Sequence, residues 1–272
     1  MSRTAIIAGS GALPGLLAEA LPADETLLAA MAGVAIDLPE TALERFRIER
    51  LVPFLDHLEE AGVARVVFAG AVTRPRLDPE QFDPRTAALV PRLLAAMGQG
   101  DDAALRAVIG LFEDHGFTVV GAAALRPDLV PGAGVICGAP DPQDERDAAR
   151  AAELVAELGR LDVGQGAVVA QGLCLALESL PGTDAMLDFV ARNGAALRPD
   201  PKGGRGVLYK APKPGQDLRI DLPAIGPETV ARAGAAGLAG IAWQAGGAML
   251  ITPEATRAAA EKAGLFLWAR EP

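Results

Sequence analysis

The chain has 272 residues, half of them apolar, and a formal net charge of −10. This acidic balance, without a basic patch, argues against a nucleic-acid partner. Two cysteines suit a reducing cytosol and are too few for a disulfide framework or a cysteine-rich metal site. No apolar run reaches the roughly 18 residues of a membrane span, and the N-terminal segment predicts a first strand rather than a secretory signal.

The first half of the chain predicts strands that alternate with helices. Short apolar runs predict buried strands at 5–8, 26–31, 65–69 and 116–121. Apolar periodicity predicts helices at 16–21, 52–61, 87–97 and, with Asp101 or Asp102 as its cap, from there to about 115. This order is typical of a parallel, Rossmann-like sheet with helices on its faces.

Two loops of this predicted sheet could contact a ligand. A glycine loop follows the first strand, and the backbone N–H groups of Gly11, Ala12 and Leu13 would face a phosphate there. The loop lacks the full dinucleotide fingerprint, and a tight turn explains it equally well. Thr73 and Arg74 follow the strand at 65–69, where the carboxyl end of a parallel strand places ligand contacts; a surface arginine is the alternative.

The composition changes at 126–143, which holds four prolines and three glycines. We therefore predict an N-terminal α/β domain at 1–130, a linker at 131–143 and a C-terminal mixed α/β domain at 144–272, with a cleft between the domains. In the second domain, apolar runs on both sides of Gln171-Gly172 predict a β-hairpin. Thr183 or Asp184 is expected to cap the following helix.

The stretch at 206–229 concentrates lysines, acids and prolines. Residues 217–222 alternate polar and apolar, which predicts a strand with Asp217, Arg219 and Asp221 on one face. Two residues four apart on a strand lie roughly 13 Å apart, so a metal site here needs another carboxylate, from Glu178, Asp184 or the pair at 101–102. The cationic side chains Lys210, Lys213 and Arg219 are candidates for phosphate contacts. A solvated row of ion pairs is the alternative.

Several strings together resemble one enzyme family. They are KPGQDLRIDLPAIGPET, LPGTDAML, LDVGQGAVVAQG, GQGDDAALR and IAGSGALPGLLA. They are similar to the UDP-2,3-diacylglucosamine pyrophosphatases of lipid A biosynthesis, of the type unrelated to the calcineurin-like phosphoesterases, and the similarity extends over nearly the whole chain.

The resemblance implies a Mg²⁺-dependent hydrolase that splits UDP-2,3-diacylglucosamine into UMP and 2,3-diacylglucosamine 1-phosphate. It implies two domains that hold the acylated sugar phosphate between them, and a cytoplasmic location peripheral to the inner membrane, with transient contact to its surface. A homodimer is also considered. The rival hypotheses are a nucleotide-dependent oxidoreductase and a non-catalytic lipid or nucleotide carrier.

The resemblance also assigns candidate roles. Asp221 is the first choice for metal ligand or general base, with Asp217, Asp184 and Glu178 next. The phosphates would be held by Lys210, Lys213 and Arg219. The nucleotide or sugar would be bound by Gly11, Ala12, Leu13, Thr73, Arg74, Gln99, Thr183, Asp184 and Gln216.

Overall fold

The computed structural model describes residues 3–72, 77–98 and 101–271, without the side chains of 101 and 102. The chain divides into two compact units, Met1–Pro127 and Asp128–Pro272. No helix in the described ranges is both long and apolar enough to cross a membrane.

The first unit is built on a parallel sheet. Its strands are β1 (Arg3–Ala8), β2 (Thr26–Met31), β3 (Glu44–Phe46), β4 (Val63–Ala69) and β5 (Thr118–Val120). They lie in the order β3-β2-β1-β4-β5, and every neighbouring pair is parallel. The predicted parallel sheet is therefore confirmed. The short edge strand β3 was not predicted, because its three residues carry two charges and no apolar run.

The helices of this unit are α1 (Leu13–Ala18), α2 (Leu51–Glu60), α3 (Pro84–Ala87), α4 (Val90–Met97), α5 (Asp101–Asp114) and α6 (Ala122–Leu125). The best defined by its sequence is α2, whose residues Leu51, Phe54, Leu55 and Leu58 are all buried. These positions recur at helical spacing and form the apolar stripe that packs on a sheet.

The loops that follow β1 and β4 contact each other directly. Ser10 and Ala71 form an isolated antiparallel bridge, with N···O distances of 2.8 and 3.0 Å. A Cβ atom on Gly9 would lie 2.5 Å from the carbonyl oxygen of Ala71, and one on Gly70 would lie 2.5 Å from that of Ser10. Close backbone approach therefore requires glycine in both loops, whether or not they also bind a ligand.

The second unit contains a mixed sheet. The strands of the unit are β6 (Gly134–Cys137), β7 (Gly166–Ala170), β8 (Leu173–Leu177), β9 (Val207–Lys210), β10 (Ala224–Ile225), β11 (Gly240–Gln244), β12 (Met249–Leu250) and β13 (Phe266–Arg270). Its helices are α7 (Pro142–Arg160), α8 (Gly182–Leu197), α9 (Pro227–Ala235) and α10 (Pro253–Ala263).

The main sheet of this unit has the order β6-β13-β11-β9-β7-β8, and β10 pairs separately with β12. The inner pairs β9–β11 and β11–β13 are parallel, whereas β6–β13, β7–β9 and β7–β8 are antiparallel. The predicted mixed architecture is thus confirmed. Strand β6 lies inside the range 131–143 predicted as a linker, where it pairs antiparallel with β13 at the edge of the sheet.

Helices cover both faces of the main sheet. On one face, α7 packs its alanines and Val155 against β7 and β9. On the other face, α8, α9 and α10 contribute Leu187, Val190, Val230 and Ala260 to a second core. Successive residues of a strand point to opposite faces. Since Tyr209 belongs to the α7 core, Lys210 points to the side of α8.

The predicted hairpin between β7 and β8 is present. Gln171 and Gly172 have φ values of 54° and 78°, as a two-residue turn of type I′ requires. The buried side chain of Asp147 on α7 accepts hydrogen bonds from the backbone N–H groups of both residues, at 2.9 and 2.7 Å. The turn is therefore attached to the helix that covers its sheet.

Candidate active site

The strand predicted at 217–222 is wrong. Residues 218–220 form a turn, and the N–H of Asp221 donates to the carbonyl of Asp217 at 3.3 Å. The carboxylate of Asp217 accepts the N–H of Arg219 at 3.0 Å, an alternative to a strand ladder that aspartate favours. Leu218, expected to face a core, is 43% exposed. The 13 Å spacing derived for a strand does not apply to these two aspartates.

A buried lysine occupies the centre of the candidate site. Lys210, the last residue of β9, is only 5% exposed. Its Nζ donates to the hydroxyl of Thr183 at 2.8 Å and to the carbonyl of Ala224 at 3.4 Å. Thr183 in turn donates to Oε2 of Glu178 at 2.8 Å, so lysine, threonine and glutamate form a continuous chain of hydrogen bonds.

Two glycines make room for Glu178, which is 7% exposed. A Cβ atom on Gly164 would lie 2.2 Å from the carbonyl oxygen of Glu178, and one on Gly166 would lie 2.5 Å from its Oε2. The two glycines of Gly164-Gln165-Gly166 are thus a sequence signal for the site, because they make room for the buried Glu178. The sequence analysis did not use this signal.

The expected helix cap is also wrong. Helix α8 begins at Gly182 after Pro181, and no side chain caps it. Thr183 lies in the first turn, and its hydroxyl bonds to Glu178 rather than to the helix. The hydroxyl of Thr183 therefore belongs to the buried chain of hydrogen bonds, in which it accepts from the ammonium of Lys210.

Three carboxylates surround the lysine electrostatically. Burial lowers the pKa of Lys210, while the charges of Glu178, Asp184 and Asp221 act to raise it. Asp221 also accepts a hydrogen bond from the side-chain amide of Gln216, which is itself buried. The sequence-predicted residues Glu178, Thr183, Asp184, Lys210, Gln216 and Asp221 are thereby brought together.

The remaining cations of this region are paired with acids. Lys213 contacts Asp162 at 2.5 Å, and Arg219 contacts Asp217 at 2.7 Å. The side chains of Lys213 and Arg219 are both more exposed than that of Lys210. A phosphate that binds to either one would therefore compete with a carboxylate already in place.

The three carboxylates do not form a ready-made set of metal ligands. Mg²⁺ requires oxygen ligands in near-octahedral positions at about 2.0–2.1 Å. In the described part of the chain, no group of three or more His, Cys, Asp or Glu side chains is arranged to hold a metal ion. The charges of Glu178, Asp184 and Asp221 instead act on the buried ammonium of Lys210, and Asp184 also contacts the guanidinium of Arg232 at 3.5 Å.

The candidate residues of the first unit lie in the loop after β1, at the first residue of α1, or outside the described residues. Gly11 and Ala12 are exposed, whereas the side chain of Leu13 is buried, which leaves only its backbone to meet a ligand. Thr73, Arg74 and Gln99 lie outside the described residues, as do the side chains at 101 and 102.

A cavity of about 350 Å³ lies elsewhere in the second unit, and its polar lining includes Asp144, Arg205 and Glu261. Burial raises the pKa of Asp144. Its carboxyl group nevertheless has a structural role, because it accepts the N–H of Asp141 at 3.0 Å in the capping box of α7. This cavity shares no residue with the lysine-centred cluster.

The comparisons with known proteins cover both units. The family model described as the LpxI N-terminal domain matches residues 3–129, and the one described as the LpxI C-terminal domain matches residues 132–268. A protein of Caulobacter vibrioides, the UDP-2,3-diacylglucosamine pyrophosphatase LpxI, is 39% identical over 278 aligned positions, covering 100% of this chain and 99% of that protein. The chain therefore belongs to the LpxI family.

Proposed function

We propose that this protein hydrolyses the pyrophosphate bond of UDP-2,3-diacylglucosamine to UMP and 2,3-diacylglucosamine 1-phosphate. The observation that carries the proposal is the end-to-end similarity to a relative named for that activity. The cluster around Lys210 supports it, because a buried cation and three carboxylates form a strongly polar site of the kind that active sites contain.

In the proposed reaction, the oxygen of a water molecule forms a bond to one phosphorus. The bond from that phosphorus to the bridging oxygen breaks, and its electron pair leaves with the other phosphate. Asp221 accepts the proton of the attacking water, since a positioned carboxylate can act as a general base. Gln216 orients Asp221 by its hydrogen bond.

The phosphates are proposed to contact Lys213 and Arg219, which are more exposed than Lys210, and to replace Asp162 and Asp217 as their partners. Lys210 is too deeply buried for direct contact and acts on the carboxylates instead. Asp217 is the ion-pair partner of Arg219. Contacts to the rest of the substrate stay predicted for Gly11, Ala12, Leu13, Thr73, Arg74, Gln99, Thr183 and Asp184.

Dependence on Mg²⁺ is part of the same proposal. Mg²⁺ is usually bound through substrate phosphates together with one or two carboxylates, and it neutralises charge on a reacting phosphate. Because the carboxylates around Lys210 do not form a ligand set of their own, the oxygens of the pyrophosphate are the ligands we expect to dominate.

The test is hydrolysis of UDP-2,3-diacylglucosamine in ¹⁸O-labelled water, with Mg²⁺ and with a chelator. We expect UMP in the Mg²⁺ reaction, one ¹⁸O atom in one of the two products, and loss of turnover in the chelator. The labelled product identifies the attacked phosphorus. Substrate binding without release of UMP would contradict the proposal and favour a carrier.

The comparisons do not support the rival hypotheses. Neither family model nor the Caulobacter relative is described as an oxidoreductase or as a carrier. Both rivals are therefore set aside in favour of the hydrolase.

We also propose that the enzyme works in the cytoplasm at the surface of the inner membrane, where a diacylated substrate lies. Leu180, two residues after Glu178, is 94% exposed, so an apolar side chain stands in solvent next to the cluster. The homodimer stays a prediction.

A vesicle experiment tests the membrane contact. We expect Leu180→Ser to weaken binding to phosphatidylethanolamine–phosphatidylglycerol vesicles by about fivefold, since partial burial of one leucine contributes on the order of 1 kcal/mol. The matched control is Leu197→Ser, an exposed leucine at the other end of α8, about 22 Å away along the helix. Equal vesicle affinity of wild type and Leu180→Ser in flotation would exclude Leu180 from the contact.

A further inference from the structure

Lys210 interacts through its charge with three acidic side chains of the candidate site, and one of them, Asp184, also pairs with Arg232 at 3.5 Å. We name Glu178, Asp184 and Asp221 the carboxylate cluster. We propose that the ammonium of Lys210 is the resident cation of this cluster and takes the place of a divalent ion, so that the substrate-free protein binds no divalent ion there. The inference deepens the proposed function, because it concerns the residues predicted to hold Mg²⁺ in the same site.

The hydrogen bonds fix the position of Lys210. Its Nζ donates to the hydroxyl of Thr183 at 2.8 Å and to the carbonyl of Ala224 at 3.4 Å. Thr183 can accept this bond because its own hydrogen goes to Glu178, at 2.8 Å. Since Lys210 also ends a central strand and is buried, it cannot swing away to admit an ion without breaking this chain.

Charge gives the second step. Lys210 interacts with all three members of the carboxylate cluster, so its positive charge already offsets part of their negative charge. A divalent ion beside Glu178 would stand close to that fixed charge, and the burial of Glu178 and Lys210 weakens the screening of the repulsion. Glu178 would also have to give up the hydrogen bond that Thr183 donates to its Oε2.

It follows that a divalent ion used in the reaction arrives with the substrate. The pyrophosphate supplies negative oxygens that lie outside the buried chain of hydrogen bonds. The role of Lys210 is then to position Thr183 and to keep the carboxylates together between turnovers, and it is a positioning residue rather than a phosphate ligand.

The test is a titration of the full chain, without substrate, with Mn²⁺ as a paramagnetic probe of divalent sites. The variants are wild type, Lys210→Met, Lys210→Met with Glu178→Gln, and Lys202→Met as the charge-matched control on an exposed turn. We expect Lys210→Met to bind one Mn²⁺ at least about tenfold more tightly than wild type, since the repulsive charge is gone. Wild type and Lys202→Met should show the same Mn²⁺ affinity. The double variant should lose the increase in Mn²⁺ affinity that Lys210→Met produces.

The proposal is overturned if Lys210→Met gains no Mn²⁺ affinity. Because Lys210→Met removes the partner of a buried chain and can impair folding, Glu178→Gln is titrated beside wild type as well. A wild-type Mn²⁺ site that disappears in Glu178→Gln overturns the proposal; equal binding, or none in either protein, supports it. These titrations involve no turnover, so their outcome is separate from that of the ¹⁸O assay.

Discussion

Replacing Asp221 with asparagine is expected to lower the turnover number for UMP release by about a hundredfold or more, because general-base catalysis typically contributes 10²–10⁴-fold. Asparagine keeps an oxygen that can accept the hydrogen bond from Gln216, but it loses the basicity and the negative charge of the carboxylate. KM should change much less than turnover. Initial rates at saturating substrate and Mg²⁺ measure the effect.

Asp200→Asn is the matched control for this substitution. Asp200 lies exposed in the same unit, and its carboxylate accepts the N–H of Lys202 at 2.8 Å in a turn. We expect its turnover to stay within about twofold of wild type, as for surface changes away from a site. If Asp221→Asn retains turnover within about tenfold of wild type, Asp221 is not the proton acceptor.

The fold could be predicted wherever a local signal determines the structure. The buried strand after Arg3 needs only an apolar run, and the hairpin at Gln171-Gly172 needs only two residues that tolerate positive φ. Helix α10 spans Pro253–Ala263, and proline at its start with glycine after its end is likewise a local signal. In each case the information lies within a few residues of the element.

The alternation of polar and apolar residues at 217–222 led to the wrong prediction of a strand, because the same pattern is compatible with a turn. Which of them forms depends on where the side chain of Asp217 finds its hydrogen bonds. Here that carboxylate accepts the N–H of Arg219 and also pairs with its guanidinium. A carboxylate that accepts from the backbone and the side chain of a residue two positions away stabilises a turn, and the pattern of apolar positions carries no information about these hydrogen bonds.

The candidate site could be predicted as a set of residues but not as an arrangement. Lys210 and Thr183 are 27 residues apart, and only the pairing of β9 with β7, together with the packing of α8 on that sheet, brings them into contact. Lysine was expected to bind phosphate because exposed lysines often do. Its burial, which changes that role, is a property of the sheet and not of the neighbouring residues.

Asp147→Ala is expected to lower the free energy of unfolding by about 3 kcal/mol, since each partly buried hydrogen-bond donor left without an acceptor costs about 1–3 kcal/mol. Asp147 is 0% exposed. Its carboxyl group accepts the N–H groups of Gln171 and Gly172 at 2.9 and 2.7 Å, and the side-chain amide of Gln143 at 3.0 Å. The two backbone donors belong to a turn whose φ values are positive, so they cannot turn toward other acceptors without unwinding the hairpin.

Urea unfolding measures the loss, with Arg150→Ala on the same helix as the control. Arg150 and Glu153 form an exposed ion pair at 2.8 Å, which contributes about 0.5 kcal/mol or less. A loss below about 1 kcal/mol in Asp147→Ala would mean that water replaces the carboxyl group at the turn. A loss of about 3 kcal/mol in the free energy of unfolding would also affect the candidate site, because β8 connects this turn directly to Glu178. A loosened hairpin therefore frees the carboxylate that Thr183 and Lys210 hold in place, and we expect turnover to fall in Asp147→Ala even where the protein is still folded.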